Sequence, residues 1–273
     1  MAVVFLYESF DWLREEKKVA EQAIIHGKLY DSKKGFPVFV NGEGEVYGEI
    51  FDLKEQEIDK LYMDLCKRGN FKKVQKTVKT DTNVIECLTF QFVEDTSSFL
   101  PINRGNWKEY NYFESKPERT FYFAYGSCMD TERMQKAGVD HHFQSIVGAG
   151  KLENYTLRFS VHVHDGGRAD IVEEGGKVEG ILYEVPFEAV EYLYVREGVY
   201  TNLYRPTFVN VEVNGVNYEN CLTFVVCSKK EDLGPPDHYK NEILRGSKGR
   251  VTDTYYEKIK QYMENLQQRN VTN

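Results

Sequence analysis

Short apolar or alternating runs recur along the chain in two series with the same plan. The first series opens with Val3-Val4-Phe5-Leu6-Tyr7-Glu8-Ser9 and the second with Phe121-Tyr122-Phe123-Ala124-Tyr125-Gly126-Ser127, each an apolar strand running into a turn with Tyr-x-Ser at its end. A helix is expected next in both, Trp12 to Ile25 behind Asp11 and Thr131 to Ala137 behind Asp130, with the aspartate placed to cap free amides. Alternating strands follow, Val46-Tyr47-Gly48-Glu49-Ile50-Phe51-Asp52-Leu53 and Val178-Glu179-Gly180-Ile181-Leu182-Tyr183-Glu184-Val185, and each leads into a helical stripe. From these glycines the two series keep step. Gly48 to Cys87 is 39 positions, Gly180 to Cys221 is 41, and both cysteines begin Cys-Leu-Thr-Phe. The periodicities predict an α+β fold of two tandem copies, each a strongly bent antiparallel sheet or a small barrel.

The domains expected are residues 1–96, a connecting segment 97–118, and residues 119–273. The segment holds Ser97, Ser98, Pro101, Gly105 and Pro117, which interrupt any periodicity. Its aromatics Phe99, Trp107, Tyr110, Tyr112 and Phe113 predict a segment packed across both domains instead of a free linker. The second copy carries an extension in which Asp237–Arg245 and Asp253–Leu266 read as helices, with Tyr255, Ile259, Tyr262, Met263 and Leu266 on one face of the latter.

Composition narrows the function. With 273 residues, 41% of them hydrophobic, the chain can bury a substantial core. Its 35 Lys plus Arg stand against 43 Asp plus Glu, a net charge of −8 that opposes a phosphate backbone and argues against nucleic-acid binding. The N-terminal apolar stretch Ala2–Tyr7 is cut off by Glu8, and no run reaches the roughly 20 apolar residues of a membrane span. Five cysteines without a CxxC pair predict neither a disulfide framework nor a thiolate zinc site, and a cytoplasmic location is expected. His162-x-His164, near His141 and His142, lacks the partners of a metal site, so no metal and no cofactor are expected. Gly246-Ser247-Lys248-Gly249-Arg250 lacks phosphate-loop spacing and reads as a turn.

Two features carry candidate chemistry. In the helix after the central strand, Val190, Leu193 and Glu197 share one face, where the first copy has Ile58, Leu61 and Leu65 at the same distances from its glycine. A carboxylate thus replaces a core leucine, and burial would lift its pKa toward the range of a general base or proton shuttle. The same spacing is met by a helix-terminal glutamate that Gly198 releases to water. The other feature is Tyr125-Gly126-Ser127-Cys128-Met129-Asp130, a small-residue turn able to direct several N–H groups at one spot and so to hold a carboxylate or an oxyanion. Glu8 takes the place of Gly126 in the first copy. Cys128 as a nucleophile would need a neighbouring base, and the sequence identifies none.

Phe123-Ala124-Tyr125-Gly126-Ser127, Gly166-Gly167-Arg168-Ala169-Asp170-Ile171, Val178-Glu179-Gly180-Ile181-Leu182-Tyr183, Leu193-x-x-x-Glu197-Gly198, Tyr204-Arg205 and Pro235-Pro236-Asp237-His238-Tyr239 occur in the order found in γ-glutamylcyclotransferases. The second copy resembles that family from about Arg119 to Glu264, and the first resembles its fold in outline from Val3 to Phe92. The resemblance implies a small mixed barrel with flanking helices and release of 5-oxoproline from γ-glutamyl amides. It also implies Glu197 as the acid/base residue, Tyr125, Gly126, Ser127, Cys128 and Met129 as the substrate loop, and Tyr239 as a wall of the pocket. The partner implied is a small-molecule γ-glutamyl substrate. The family usually has Asn where this chain has Cys128, whose backbone amide still donates but whose side-chain amide is gone. With Glu8 and Leu65 at the two chemical positions, the first copy is expected to be catalytically inert. Related expectations are γ-glutamyl acyl transfer on a specialised metabolite, and a binding module without turnover.

Overall fold

The computed structural model describes residues 1–14 and 17–272. The chain divides into two compact units, Met1–Ser115 and Lys116–Asn273.

The first unit contains strands β1 (Ala2–Leu6), β2 (Lys18–Asp31), β3 (Pro37–Leu53), β4 (Phe71–Lys79), β5 (Val84–Phe92) and β6 (Leu100–Pro101), with helices α1 (Glu55–Cys66) and α2 (Trp107–Ser115). The sheet runs β3-β1-β5-β4-β2, β2 pairs back onto β3 to close it, and β6 is appended to β2. Only β1 and β5 are parallel among these pairings, joined at Val4 and Leu88. Closure leaves no long open strand edge. Helix α1 buries Ile58, Leu61 and Leu65, the face expected from its spacing. Each such leucine stabilises by roughly 1.5–3 kcal/mol. Ile102 and Trp107 join the core of this unit, so the aromatic segment expected to connect the domains lies with the first unit as far as Ser115.

One expected element is corrected. Residues 18–25 are strand, not the end of a helix running from Trp12; residues 15 and 16 of that helix lie outside the described residues. Inward-facing Ala20 and Gln22 are followed by inward-facing Ala23, Ile25 and Leu29, because the β2–β3 register shifts between Ala20 and Ala23. That bulge breaks the period of two, and the resulting spacing mimics a helical stripe.

The second unit contains β7 (Arg119–Ala124), α3 (Thr131–Lys136), β8 (Ile146–Glu153), β9 (Thr156–Val163), β10 (Gly166–Val172), β11 (Lys177–Pro186), α4 (Phe187–Arg196), β12 (Tyr204–Val213), β13 (Val216–Val226), α5 (Asp237–Ser247) and α6 (Asp253–Thr272). Strands β11-β7-β13-β12-β8 form a closed barrel, again with one parallel pair, β7 to β13 at Tyr122 and Leu222. Strands β9 and β10 form a separate hairpin. Among the described residues no helix is long and apolar enough to cross a membrane.

The internal repeat is visible atom by atom. Thr89 Oγ1 donates to the Phe5 carbonyl at 2.9 Å, and Thr223 Oγ1 donates to the Phe123 carbonyl at 2.9 Å. Tyr7 OH reaches the Phe90 carbonyl at 3.0 Å, as Tyr125 OH reaches that of Phe224 at 2.6 Å. A Cβ on Gly48 would stand 2.2 Å from the Leu6 carbonyl oxygen, and one on Gly180 would stand 2.3 Å from that of Ala124. These glycines let the central strand approach the first strand of its barrel, and no other residue fits there.

Candidate active site

Strand β7 ends at Ala124 and the chain turns through Tyr125 and Gly126 into a single 3-10 turn, Ser127–Met129. Within it the Met129 amide donates to the Gly126 carbonyl at 3.0 Å, and the Asp130 amide to that of Ser127 at 3.1 Å. The amides of Gly126, Ser127 and Cys128 make no such turn bond among the described residues, as expected for the opening groups of a helical turn. Asp130, almost fully buried, then caps α3 by accepting from the Glu132 amide at 3.2 Å.

The turn is held from behind by α5. Arg245 Nε donates to Asp130 Oδ1 at 3.0 Å, and Arg250 Nη1 donates to the Met129 carbonyl at 2.7 Å. Gly246 lies against the Met129–Asp130 backbone, where a Cβ would stand 2.6 Å from the Asp130 nitrogen. The stretch from Gly246 to Arg250, expected to be a turn, therefore begins as the last turn of α5 and braces the loop.

Helix α4 brings up the carboxylate. Its buried face is Ala189, Val190, Leu193 and Tyr194, and Glu197 caps its C-terminus. Gly198, at φ 61°, ends the helix in the left-handed conformation. Glu197 is helix-terminal, but it is not released to water: its side chain is only 17% exposed and lies against the turn. Cys128 Sγ lies 3.5 Å from Glu197 Oε1. Arg196 completes the cluster, with Nε 3.2 Å from Cys128 Sγ, Nη2 3.2 Å from Ser127 Oγ, and Nε 3.4 Å from Glu197 Oε1.

These groups line one pocket of about 350 Å³, part of it open to solvent, together with Tyr122, Tyr125, Ala169, Tyr204, Phe224 and Tyr239. The β9–β10 hairpin supplies Ala169, whose amide donates to Tyr239 OH at 3.2 Å and whose carbonyl accepts from Tyr204 OH at 2.6 Å. Asp170, fully buried beside it, fixes this strand: Oδ2 accepts from Ser160 Oγ (2.7 Å) and Lys229 Nζ (2.8 Å), and Oδ1 from the Val226 amide (3.0 Å). Burial raises the phenols of Tyr122, Tyr125, Tyr204 and Tyr239 above the ordinary tyrosine range, and the Glu197 charge pushes each the same way, so they remain neutral. Burial opposes the charge on Arg196, but Cys128 and Glu197 beside it more than offset this and its pKa is raised.

The structure thus brings Glu197, Tyr125, Gly126, Ser127, Cys128 and Tyr239 together. Met129 is the exception. Its side chain is fully buried and its amide and carbonyl are both engaged, so it supports the turn and does not face the pocket. Sequence reasoning passed over Tyr122, Tyr204, Ala169 and above all Arg196, which stands next to Glu197 but off the apolar stripe that singled out the glutamate.

The first unit fills the equivalent place. Glu8, 8% exposed, accepts from Arg68 Nη1 at 3.0 and 2.8 Å, and the Arg68 guanidinium lies over the rings of Phe10 and Phe36. Burial raises the Glu8 pKa even though Arg68 lowers it. Leu65, at the position matching Glu197, is buried in the core.

Two family models match the chain, one on each unit. Residues 6–109 match the family model described as "Gamma-glutamyl cyclotransferase, AIG2-like", and residues 177–259 match an "AIG2-like family" model. The chain is 42% identical over 257 residues to "Putative gamma-glutamylcyclotransferase YkqA" of Bacillus subtilis (strain 168), covering 93% of this chain and 92% of that one. It is 28% identical over 148 residues to "Gamma-glutamylcyclotransferase" of Bos taurus, covering 52% of this chain and 77% of the bovine one. The crystal structure of YkqA superimposes with a TM-score of 0.88 at 39% identity, over 97% of this chain and 98% of that one.

Proposed function

Because the chain belongs to the γ-glutamylcyclotransferase family, we propose that its second unit cyclises the γ-glutamyl group of a small γ-glutamyl amide to 5-oxoproline and releases the amine, with Glu197 as general acid and base. The observation that supports this reading is the Glu197 carboxylate 3.5 Å from Cys128 Sγ, within the turn that opens with the amides of Gly126, Ser127 and Cys128.

The reaction needs a proton taken from one nitrogen and returned to another. The substrate's α-amine loses a proton to Glu197 and its nitrogen attacks the γ-carbonyl carbon, closing a five-membered ring. The C–N bond to the leaving amine then breaks, and Glu197 returns the proton to that nitrogen. Such transfers are typically worth ~10²–10⁴-fold. Nucleophile and electrophile belong to one molecule, so a pocket that folds it into the reactive conformer gains much of the remainder, with effective molarities up to ~10⁸ M in favourable cases. In this reading the amides of Gly126, Ser127 and Cys128 donate to the tetrahedral oxygen, at roughly 3 kcal/mol for each well-aimed donor. Tyr125, Tyr204 and Tyr239 wall the site with neutral hydroxyls. No step calls for a covalent enzyme intermediate. The first unit, with Glu8 and Leu65 at the matching positions, has no part in the chemistry. The chain's five cysteines, all free thiols, fit a cytoplasmic location.

The test is Glu197→Gln, which keeps shape and removes the base. With γ-glutamyl amino acids and amines as substrates and 5-oxoproline read by mass spectrometry, turnover is expected to fall at least ~100-fold while substrate binding is largely kept. An unchanged rate removes Glu197 from the mechanism. Cys128 in the turn favours one second reading, a module that holds an acidic γ-glutamyl compound without turnover. Binding of γ-glutamyl ligands with no 5-oxoproline formed across the whole panel would establish it.

A further inference from the structure

Among the described residues that line the pocket, Arg196 carries the only positive charge. Its side chain is four-fifths buried and its guanidinium lies beside the Glu197 carboxylate. Cys128 Sγ and Ser127 Oγ accept from two of its five N–H groups and leave the others open to a ligand that brings its own negative charge. A buried cation needs a carboxylate, and without substrate Glu197 is the one in reach.

Resting on the proposed cyclisation and deepening it, we propose that Arg196 anchors the free α-carboxylate of the γ-glutamyl group and restricts substrates to γ-glutamyl compounds whose α-carboxylate is unmodified. An α-amino acid carries its ammonium and carboxylate on one carbon. The pocket carries the opposite pair on neighbouring residues, with Arg196 Nε and Glu197 Oε1 3.4 Å apart. Entry of the substrate exchanges one internal ion pair for two matched ones: carboxylate on Arg196, amine on Glu197. The guanidinium fork suits a carboxylate bidentately. It also sets the α-amine against Glu197, the group that must deprotonate it, so recognition and reactive alignment share one contact.

The first unit offers an internal control. At the distance from Gly48 where the second unit has Arg196 after Gly180 stands Asp64, part-exposed and paired with Lys67, followed by the buried Leu65. Both members of the charge pair are absent there together, as expected if they serve one ligand.

The test separates this proposal from turnover by using the cyclic product L-5-oxoproline and its analogue 2-pyrrolidinone, which has the same ring without the carboxylate. Affinities are measured by calorimetry on the full chain, wild type and R196Q, with competition for dye-labelled product where binding is weak. The wild type is expected to prefer 5-oxoproline by at least ~30-fold, the lower range for losing one partner of a buried charge pair. R196Q should erase that preference and leave 2-pyrrolidinone binding as it was. Equal weakening of both ligands, or a preference retained in R196Q, overturns the proposal. If R196Q fails to fold, R196K replaces it: a preference cut at least tenfold supports the bidentate anchor, and an unchanged one overturns it. Turnover of γ-glutamyl against 4-aminobutyryl amides provides the parallel kinetic comparison. An Arg196-dependent preference in a protein that forms no 5-oxoproline would sink the cyclisation reading and leave this one standing.

Discussion

Gly126 allows the pocket to be perturbed without disturbing the fold. Its φ of −119° lies outside the left-handed region that favours glycine. A methyl group there would stand 3.4 Å from Ala169 Cβ and 3.5 Å from Tyr239 OH, ordinary contacts that need no rearrangement. On these contacts Gly126→Ala should unfold within about 0.5 kcal/mol of wild type, as substitutions away from core packing do. The added methyl occupies the gap between Ala169 and Tyr239, however, and both line the pocket. A surplus methyl in a fitted site costs about 1–3 kcal/mol. That corresponds to a loss of roughly 5- to 150-fold in kcat/KM. Gly126→Glu imports the side chain the first unit carries at this position, but without the Arg68 that neutralises it there, and close to Glu197. It should abolish 5-oxoproline release. The assay pairs 5-oxoproline formation with thermal unfolding on the same preparations. Full kcat/KM in Gly126→Ala would mean that substrate does not lie against this turn, and the site would have to be sought elsewhere.

Other consequences are testable alongside it. Leu65→Ala removes a fully buried side chain from the first unit's core, so chemical denaturation should show a loss of ~2–5 kcal/mol, while kcat is unchanged because no chemistry is assigned to that unit. Burial lifts the folded-state pKa of Glu8 above its ordinary value, so the folded first unit binds more protons than the unfolded chain between those two values. Its stability must fall as pH rises through that window. Arg68→Gln removes the charge that limits the lift, extending the window upward and costing about 3–5 kcal/mol once Glu8 is ionised. Urea titrations from pH 4 to 8 on both proteins would show the steeper decline, and parallel curves would refute it.

Much of the fold was legible because its constraints are local in sequence. Gly48 and Gly180 mark close backbone approaches, the paired Cys-Leu-Thr-Phe runs mark the fifth strand of each barrel, and the apolar stripes of α1 and α4 face inward as their spacing requires. Glu197 was visible because it interrupts such a stripe. Strand β2 was misread because its bulge shifts Ala23 into step with Ala20, and a one-residue insertion is invisible without the partner strand. Arg196 and Tyr204 were missed for another reason. Arg196 belongs to the site through contacts with Ser127 and Cys128, nearly seventy residues earlier, and Tyr204 through the Ala169 carbonyl, 35 residues earlier. Such meetings follow from barrel closure and leave no periodic trace in the chain. Met129 entered the expected pocket with the whole loop that the resemblance implies, whereas its side chain is fully buried and its amide and carbonyl are engaged.

The Glu8–Arg68 pair also limits which substitutions the first unit can accept. Losing Arg68 alone strands a carboxylate away from water, and losing Glu8 alone removes the partner of a guanidinium packed on Phe10 and Phe36. Each residue is therefore held in place by the cost of being left without the other. Clearing both would still leave core Leu65 where the second unit has Glu197, so three coordinated changes separate this site from the pocket of the second unit.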